Sequence, residues 1–245
     1  MITLEQGMRL LQIRDERKTL RRGLAIYHPL TSVLTTLPTG QTVTFVGAGY
    51  GAGTYQGISC VTFPSDRQNY FILPYERNVY TPRKFALSVW MAKTCTATSK
   101  SVSMITFGNT YSENTQRYLR WFVSKRSASS SNTVAGIYNA RLADVYTILE
   151  NADTDWHSII VNGTAGRGSS ACEMTLDLYI DGAKVDTLEY ATTQGALYNW
   201  TVIDIGSYNG SESGFIAYAA LRVWDRQLTA AEIATLASEF TPQTT

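Results

Sequence analysis

The chain has 245 residues, 44% hydrophobic and 17% charged, with 21 Lys+Arg against 20 Asp+Glu for a net charge of +1. So even a balance lacks the basic surface a duplex DNA binder needs, and the hydrophobic fraction is too high for a disordered chain. The length suits one all-β domain with an extension, and 11% aromatic residues supply a large core.

Residues 1–23 read as a basic amphipathic helix. Thr3 can cap it, with Gln6 completing a capping box. Leu4, Met8 and Leu11 form one apolar stripe, and Leu10, Ile13, Leu20 and Leu24 a second that overlaps it. Arg9, Arg14, Arg17, Lys18, Arg21 and Arg22 line the other faces, and Gly23 is placed to cap the C-terminal end. A lone helix of this length is marginal in water, so its stripe should be buried against its own domain, a sister chain or a larger scaffold. The segment shows no apolar h-region and no small-residue cleavage site. The expectation is therefore synthesis in the cytoplasm without a signal peptide. No run approaches the roughly 20 apolar residues of a membrane span.

Residues 42–46, TVTFV, alternate as a strand should and run into Gly47-Ala48-Gly49-Tyr50-Gly51-Ala52-Gly53. A strand followed by G-x-G-x-x-A opens dinucleotide folds, but that fingerprint needs a helix next. The continuation TYQGISCVTFP is β-type, and no βαβ alternation follows. The glycines read instead as a flexible turn between strands.

From residue 56 onward strand follows strand: GISCVTF, YFILP, KFALSVWMAK, SVSMITFGN, RYLRWFVSK, TVAGIYNA, WHSIIVNG, EMTLDLYID, AKVDTLEY, TVIDIGS and GFIAYAALRVW. Each is rich in β-branched and aromatic residues, and polar, Gly-containing loops separate them. In MTLDLYID, Leu176, Leu178 and Ile180 share one face, and Asp181-Gly182 signals a two-residue hairpin. One further helix fits, over 228–240, with Thr229 as cap, Glu232 three residues on, and Ile233, Leu236 and Phe240 on one side. Trp90, Trp121, Trp156 and Trp224 fall in strands and read as core. Cys60, Cys95 and Cys172 are odd in number and far apart, which suits free, mostly buried thiols rather than disulfides or a CxxC pair. The fold class this predicts is all-β, a two-sheet antiparallel jelly-roll sandwich over residues 56–245, preceded by an adaptor over residues 1–55.

Four stretches in this order carry a family resemblance: GISCVTFPSDRQNYFILP, FALSVWMAK, DWHSIIVNGT…LDLYIDGAKV and IDIGSYNGSESGFIAYAALRVWDRQLTAAEI. On them, residues 57–240 resemble the concanavalin A-like jelly rolls of the laminin G-like group. The resemblance implies two curved antiparallel sheets, frequent binding of glycans or proteins, and frequent attachment to larger machines. It places His157 in a structural position. Because the same fold hosts lectins, hydrolases and structural modules, function rests on the site.

Jelly-roll glycanases of this type carry a Glu-x-Asp-x-x-Glu run, and retaining chemistry needs paired carboxylates about 5 to 5.5 Å apart. That run does not occur here; Asp177 and Asp181 share a strand face, but Asp181 is used in the turn. Glu150, Asp153 and Asp155 read as a solvated acidic loop before Trp156. With Asp66 they are also the candidates for calcium, which wants several oxygen ligands, but nothing in their spacing is diagnostic and no bound cofactor or metal is expected. The two histidines, His28 and His157, are too few for a His-rich zinc site and have no assignable Ser or Cys partner. Asn162-Gly-Thr, Asn199-Trp-Thr and Asn209-Gly-Ser match glycosylation acceptors, which the missing signal peptide leaves unused.

Sugar recognition stacks exposed aromatic rings on pyranose faces, with amide and guanidinium groups for the hydroxyls. Loops 109–117, 195–200 and 207–213 hold this chemistry: Tyr111, Asn114 and Arg117; Tyr198, Asn199 and Trp200; Tyr208 and Asn209. The expected function is non-enzymatic: a bacteriophage virion component such as a capsid fibre, decoration or tail-fibre protein. In it a lectin-like domain faces a cell-surface glycan, and residues 1–55 join other virion proteins or sister subunits as a homo-oligomer. A bacterial carbohydrate-binding module is the alternative, and a jelly-roll glycoside hydrolase a more distant one.

Overall fold

The computed structural model describes residues 19–30, 36–46, 51–62, 70–74, 83–93, 102–108, 119–125, 133–139, 144–150, 155–167, 172–192, 202–205 and 216–240. The strands are β1 (Leu24–His28), β2 (Thr44–Val46), β3 (Gly51–Tyr55), β4 (Ile58–Thr62), β5 (Tyr70–Pro74), β6 (Arg83–Lys93), β7 (Val102–Gly108), β8 (Leu119–Lys125), β9 (Thr133–Asn139), β10 (Asp144–Glu150), β11 (Trp156–Arg167), β12 (Cys172–Ile180), β13 (Ala183–Thr192), β14 (Val202–Ile205) and β15 (Ile216–Trp224). A helix, Ala230–Ala237, follows. The strands form the expected antiparallel two-sheet sandwich. One sheet runs β13-β12-β11-β6-β15-β4-β3, with β1 also on β15; the other runs β10-β9-β8-β7-β14-β5-β2.

Every segment read as a strand contains one. Three strands were not anticipated. β3 occupies Gly51–Tyr55, where a glycine turn was expected; its partner β4 holds it through the backbone, which glycine supplies as well as any residue. β10 carries Glu150 opposite Val134, so Glu150 lies in a strand and not in the acidic loop assigned to it. β1 lies along β15. Thus β1, β2 and β3 all margin the sheets, and the sandwich draws on residues from both sides of position 55.

β15 makes room for β1 by a break. Ala217 and Tyr218 pair with β4, whereas Leu221 to Trp224 pair with β1. Between them Ala220 turns to φ 52 and donates its N–H to the Pro29 carbonyl at 3.0 Å. Two short strands thereby share one edge. Upstream of β1, residues 19–21 are helical and Gly23, at φ 69, ends the turn in the left-handed region, as expected of a C-terminal glycine. The rest of the expected N-terminal helix, residues 1–18, lies outside the described residues.

Both faces of the first sheet are covered at β6, where every residue from Phe85 to Ala92 is buried. The face bearing Ala86 and Trp90 takes the C-terminal helix. There Ala86, Ile160, Trp224, Leu228, Ile233 and Leu236 cluster, and Trp90 Nε1 donates to the Leu236 carbonyl at 3.0 Å. Ile58, Cys60, Trp90, Trp156 and Ala217 form a second cluster beside them, with Phe240 edge-on to Trp90. The opposite face, with Leu87, Val89, Ile159, Val161, Leu176 and Leu178, is buried toward the sandwich interior. The tryptophans read as core are buried at 90, 156 and 224; Trp121 lies on β8. Cys60 is a buried free thiol, and burial pushes it up from its ordinary pKa. Cys172 opens β12, and Cys95 lies outside the described residues.

The helix starts as its sequence predicts. Thr229 Oγ1 accepts from the Glu232 N–H, and the Glu232 carboxylate accepts from the Thr229 N–H. Arg226 then ties residues 19–22 to the start of the helix. Its Nε donates to the Arg22 carbonyl at 2.6 Å, Nη2 to the Thr19 carbonyl at 2.8 Å, and Nη1 to the Gln227 carbonyl at 3.0 Å. Nη1 and Nη2 also grip Glu232 at 2.8 and 2.6 Å. Nearby, Trp224 Nε1 donates to the Leu20 carbonyl at 2.6 Å.

His28 ends β1 fully buried, and its Nδ1 accepts the Leu30 N–H at 3.0 Å. Burial lowers its pKa from 6.5 to about 4. The unfolded chain therefore binds a proton that the folded chain refuses between those values. Stability should rise with pH across that window, by at most about 1.4 kcal/mol per pH unit from this group. Urea denaturation of wild type and His28→Gln at several pH values checks it: the variant's curve should lose this slope.

Candidate functional site

The expected glycan-binding residues Tyr111, Asn114, Arg117, Tyr198, Asn199, Trp200, Tyr208 and Asn209 lie outside the described residues. The strands that flank them are described, and their register sorts the loops. Gly108, which precedes loop 109–117, pairs with Val202, which follows loop 195–200. Leu119 lies across from Phe107 at that same end. Ile205, which precedes loop 207–213, is at the other end of β14, across from Ile105. The strands flanking loops 109–117 and 195–200 thus meet at one end of the second sheet, and the strand leading into loop 207–213 ends at the other.

Within the first sheet, Thr62, which precedes Asp66, and Trp156, which follows Asp155, lie at one end: Ala92 pairs with both Trp156 and Ala217, and Ala217 pairs with Thr62. Asp66 and Asp153 lie outside the described residues, and Asp155 is exposed. Among the described residues no three His, Cys, Asp or Glu side chains gather as a metal group.

Asp177 of β12 and Asp181 of the turn after it are each engaged by the scaffold. Asp181 sits at φ 51 in the two-residue turn, with Gly182 at φ 81, as the Asp-Gly signal predicts for a type I′ hairpin. Its Oδ1 accepts from the Ser158 N–H at 2.9 Å, and its Oδ2 is 2.8 Å from His157 Nδ1. Asp177 Oδ1 is 2.7 Å from Lys184 Nζ and accepts from Thr187 Oγ1 at 2.8 Å. Burial pushes the Asp177 carboxyl up, but Lys184 and Thr187 together outweigh it and hold it below its ordinary value. His157, Asp181 and Ser158 carry the residue types of a hydrolytic triad without its geometry. Ser158 meets Asp181 through its backbone, while its hydroxyl lies buried among groups that offer it no hydrogen bond. Alternation along β11 puts His157 and Ser158 on opposite faces.

Asn162, in the Asn-Gly-Thr acceptor, is buried on β11. Its Nδ2 donates to the Leu228 carbonyl and its Oδ1 accepts the Leu228 N–H, both at 2.9 Å. A side chain held in this way anchors the segment leading into the helix and is closed to glycosylation in the folded chain. Sequence reasoning missed this role, as it missed the Arg226 clamp; the alternation that buries Asn162 beside Ile160 was the available signal.

Architecture and sequence agree on the class. The chain belongs to the concanavalin A-like lectin/glucanases superfamily, whose laminin G model matches residues 65–234. No curated protein matches it by sequence. Among solved structures it is similar to the receptor binding domain of botulinum neurotoxin D, at 12% identity and TM-score 0.57, over 89% of this chain and 52% of that one. It is also similar to botulinum neurotoxin type C, whose cell entry is described as dependent upon interaction with two ganglioside molecules, at 10% identity and TM-score 0.58, over 92% and 53%. A third similarity is to Domain 4 of AbnA, a GH43 extracellular arabinanase from Geobacillus stearothermophilus, in complex with arabinotriose. There identity is 13% and TM-score 0.51, over 88% of this chain and 98% of that one. The chain spans about half the length of the toxin chains it matches. At such identities the likeness is one of fold. Among the described residues no helix is long and apolar enough to cross a membrane.

Proposed function

We propose that the chain is a non-enzymatic, lectin-like binding protein that recognises a cell-surface glycan, built into a bacteriophage virion as a fibre, decoration or tail-fibre component. One observation carries the glycan reading: the match to Domain 4 of AbnA spans almost all of that domain, which was solved holding an arabino-oligosaccharide. A domain of this fold thus suffices by itself as a sugar-binding unit. The scaffold roles of Asp177 and Asp181 support binding without catalysis. The virion placement rests on layout: an N-terminal segment whose sequence reads as a basic helix, for attachment to virion proteins or sister subunits, ahead of a jelly roll displayed at the particle surface. The same observation favours a second reading, a carbohydrate-binding module attached to a bacterial enzyme.

Loop placement sharpens the test. If glycans dock at the end shared by loops 109–117 and 195–200, Tyr111→Ala and Trp200→Ala should each weaken binding by about 1 to 2 kcal/mol, roughly five- to thirty-fold, by loss of ring stacking. Tyr208→Ala, at the other end, should leave affinity unchanged. Glycan-array binding followed by calorimetry checks this, with melting temperatures confirming folded variants. Unchanged affinity in all three variants removes the site, and reducing-end release from any polysaccharide removes the non-enzymatic reading.

A further inference from the structure

We infer that β3 is a self-association edge, on which a second copy of this chain adds its own β3 antiparallel about a two-fold axis through Gly53. This goes beyond the glycan reading and does not rest on it.

The hairpin fixes which groups are on offer. Gln56 and Gly57, at φ 47 and 79, form a two-residue turn between Tyr55 and Ile58. Such a turn makes Tyr55 and Ile58 a hydrogen-bonded pair. By alternation Gly53 and Gly51 also bond to β4, so the N–H and C=O of Ala52 and Thr54 point away from it. Among the described residues β3 ends its sheet, and Gly51 to Thr54 are exposed. With Gly53 on the two-fold, Ala52 of each copy faces Thr54 of the other, and the outward groups close four hydrogen bonds. Gly53 then faces Gly53 in a non-hydrogen-bonded pair, where Cα atoms come to about 4.5 Å and side chains crowd most. A Cβ on Gly53 meets nothing within 4 Å in the single chain, so the glycine is not required by the monomer's own packing.

Charge selects the occupant. No Asp, Glu, Lys or Arg occurs from Gly23 to Ser65, in a chain that is 17% charged. The other edge of the same sheet, β13, exposes Lys184, Asp186 and Glu189, the usual defence of an edge against pairing. β3 has neither charge nor proline. A partner edge bearing charges would lose their hydration without compensation, whereas a second β3 meets an edge as uncharged as itself. An isologous contact of this kind closes at two subunits.

Analytical ultracentrifugation of the full chain tests this. Wild type should show a reversible monomer–dimer equilibrium. Gly53→Lys, which sets two ammonium groups together at the axis, should raise the dimer dissociation constant at least about tenfold with the melting temperature unchanged. Ala52→Pro should do the same, because the N–H it removes faces away from β4 and proline is tolerated there. A wild type that stays monomeric at every concentration overturns the proposal, as does association that persists unchanged in either folded variant. Glycan affinity should be untouched in both, which separates this result from failure of the glycan site.

Discussion

Arg226→Met is expected to destabilise the fold by about 3 to 5 kcal/mol, the range for breaking a buried ion pair by removing one partner. Methionine keeps most of the apolar stem, so the change reads the guanidinium. All five N–H donors of Arg226 are used, three on the carbonyls of Thr19, Arg22 and Gln227 and two on Glu232. The Glu232 side chain is only 8% exposed against 23% for Arg226. Burial pushes the Glu232 carboxyl up, and bonds from Arg226 and Thr229 overcome this to hold it below its ordinary 4.5. A carboxyl depressed in the folded state contributes stability above its unfolded pKa and loses it as pH falls through the folded one. In the variant the Arg226 contribution is gone and burial remains, so stability at neutral pH should fall and the acid-sensitive range should move upward. Urea denaturation at neutral pH measures the first, and a pH series the second. Hydrogen exchange should also rise at residues 19–22, which the clamp holds to the helix. A loss under 1 kcal/mol would place the pair with ordinary surface ion pairs.

Where local chemistry decides local structure, this fold is legible in the sequence. Asp181-Gly182 announces its hairpin because both positions need left-handed backbone, which Asp and Gly accept. Thr229 and Glu232 announce the helix because the capping box is a side-chain device within three residues. β3 stays hidden for the opposite reason: Gly51, Ala52 and Gly53 have no side-chain pattern, and the strand exists because β4 offers backbone groups. Its turn, Gln56-Gly57, uses a residue that is rare at positive φ, so the hairpin lacks its usual label. β10 is legible, since DVYTILE is rich in β-branched and aromatic residues, yet the acids that follow it make Glu150 read as loop.

Candidate binding residues could be picked by type, because rings, amides and guanidinium groups in polar loops are visible without a fold. Their grouping could not. Whether two loops share an end depends on strand order and direction, and only the pairing of Gly108 with Val202 and of Ile105 with Ile205 separates loop 207–213 from the other two. The duties of buried polar residues were hidden similarly. Asn162 reads as a surface acceptor in isolation and becomes an anchor only when Leu228, 66 positions away, is folded onto it.

Gly163→Ala should cost about 3 kcal/mol, the top of the usual range for inserting a methyl into a close-packed core. Gly163 is buried on β11 directly across from Phe85 on β6. A Cβ built there falls on Cζ, Cε1 and Cε2 of the Phe85 ring, all under the 3.0 Å that real Cβ atoms respect. The far end of the ring fills the place a side chain would take, the means by which an aromatic neighbour repairs a glycine in a strand. Phe85 is 2% exposed and sits among other core residues, so the ring has little room to swing aside. At about 2 to 4 °C per kcal/mol for a chain of this size, the melting temperature should drop by roughly 6 to 12 °C. Phe85→Leu alone should destabilise by loss of buried ring area. In Phe85→Leu with Gly163→Ala the smaller side chain makes room for the methyl, so the double variant should be more stable than the sum of the two single losses. Additive losses would mean that the ring and the glycine do not share that space.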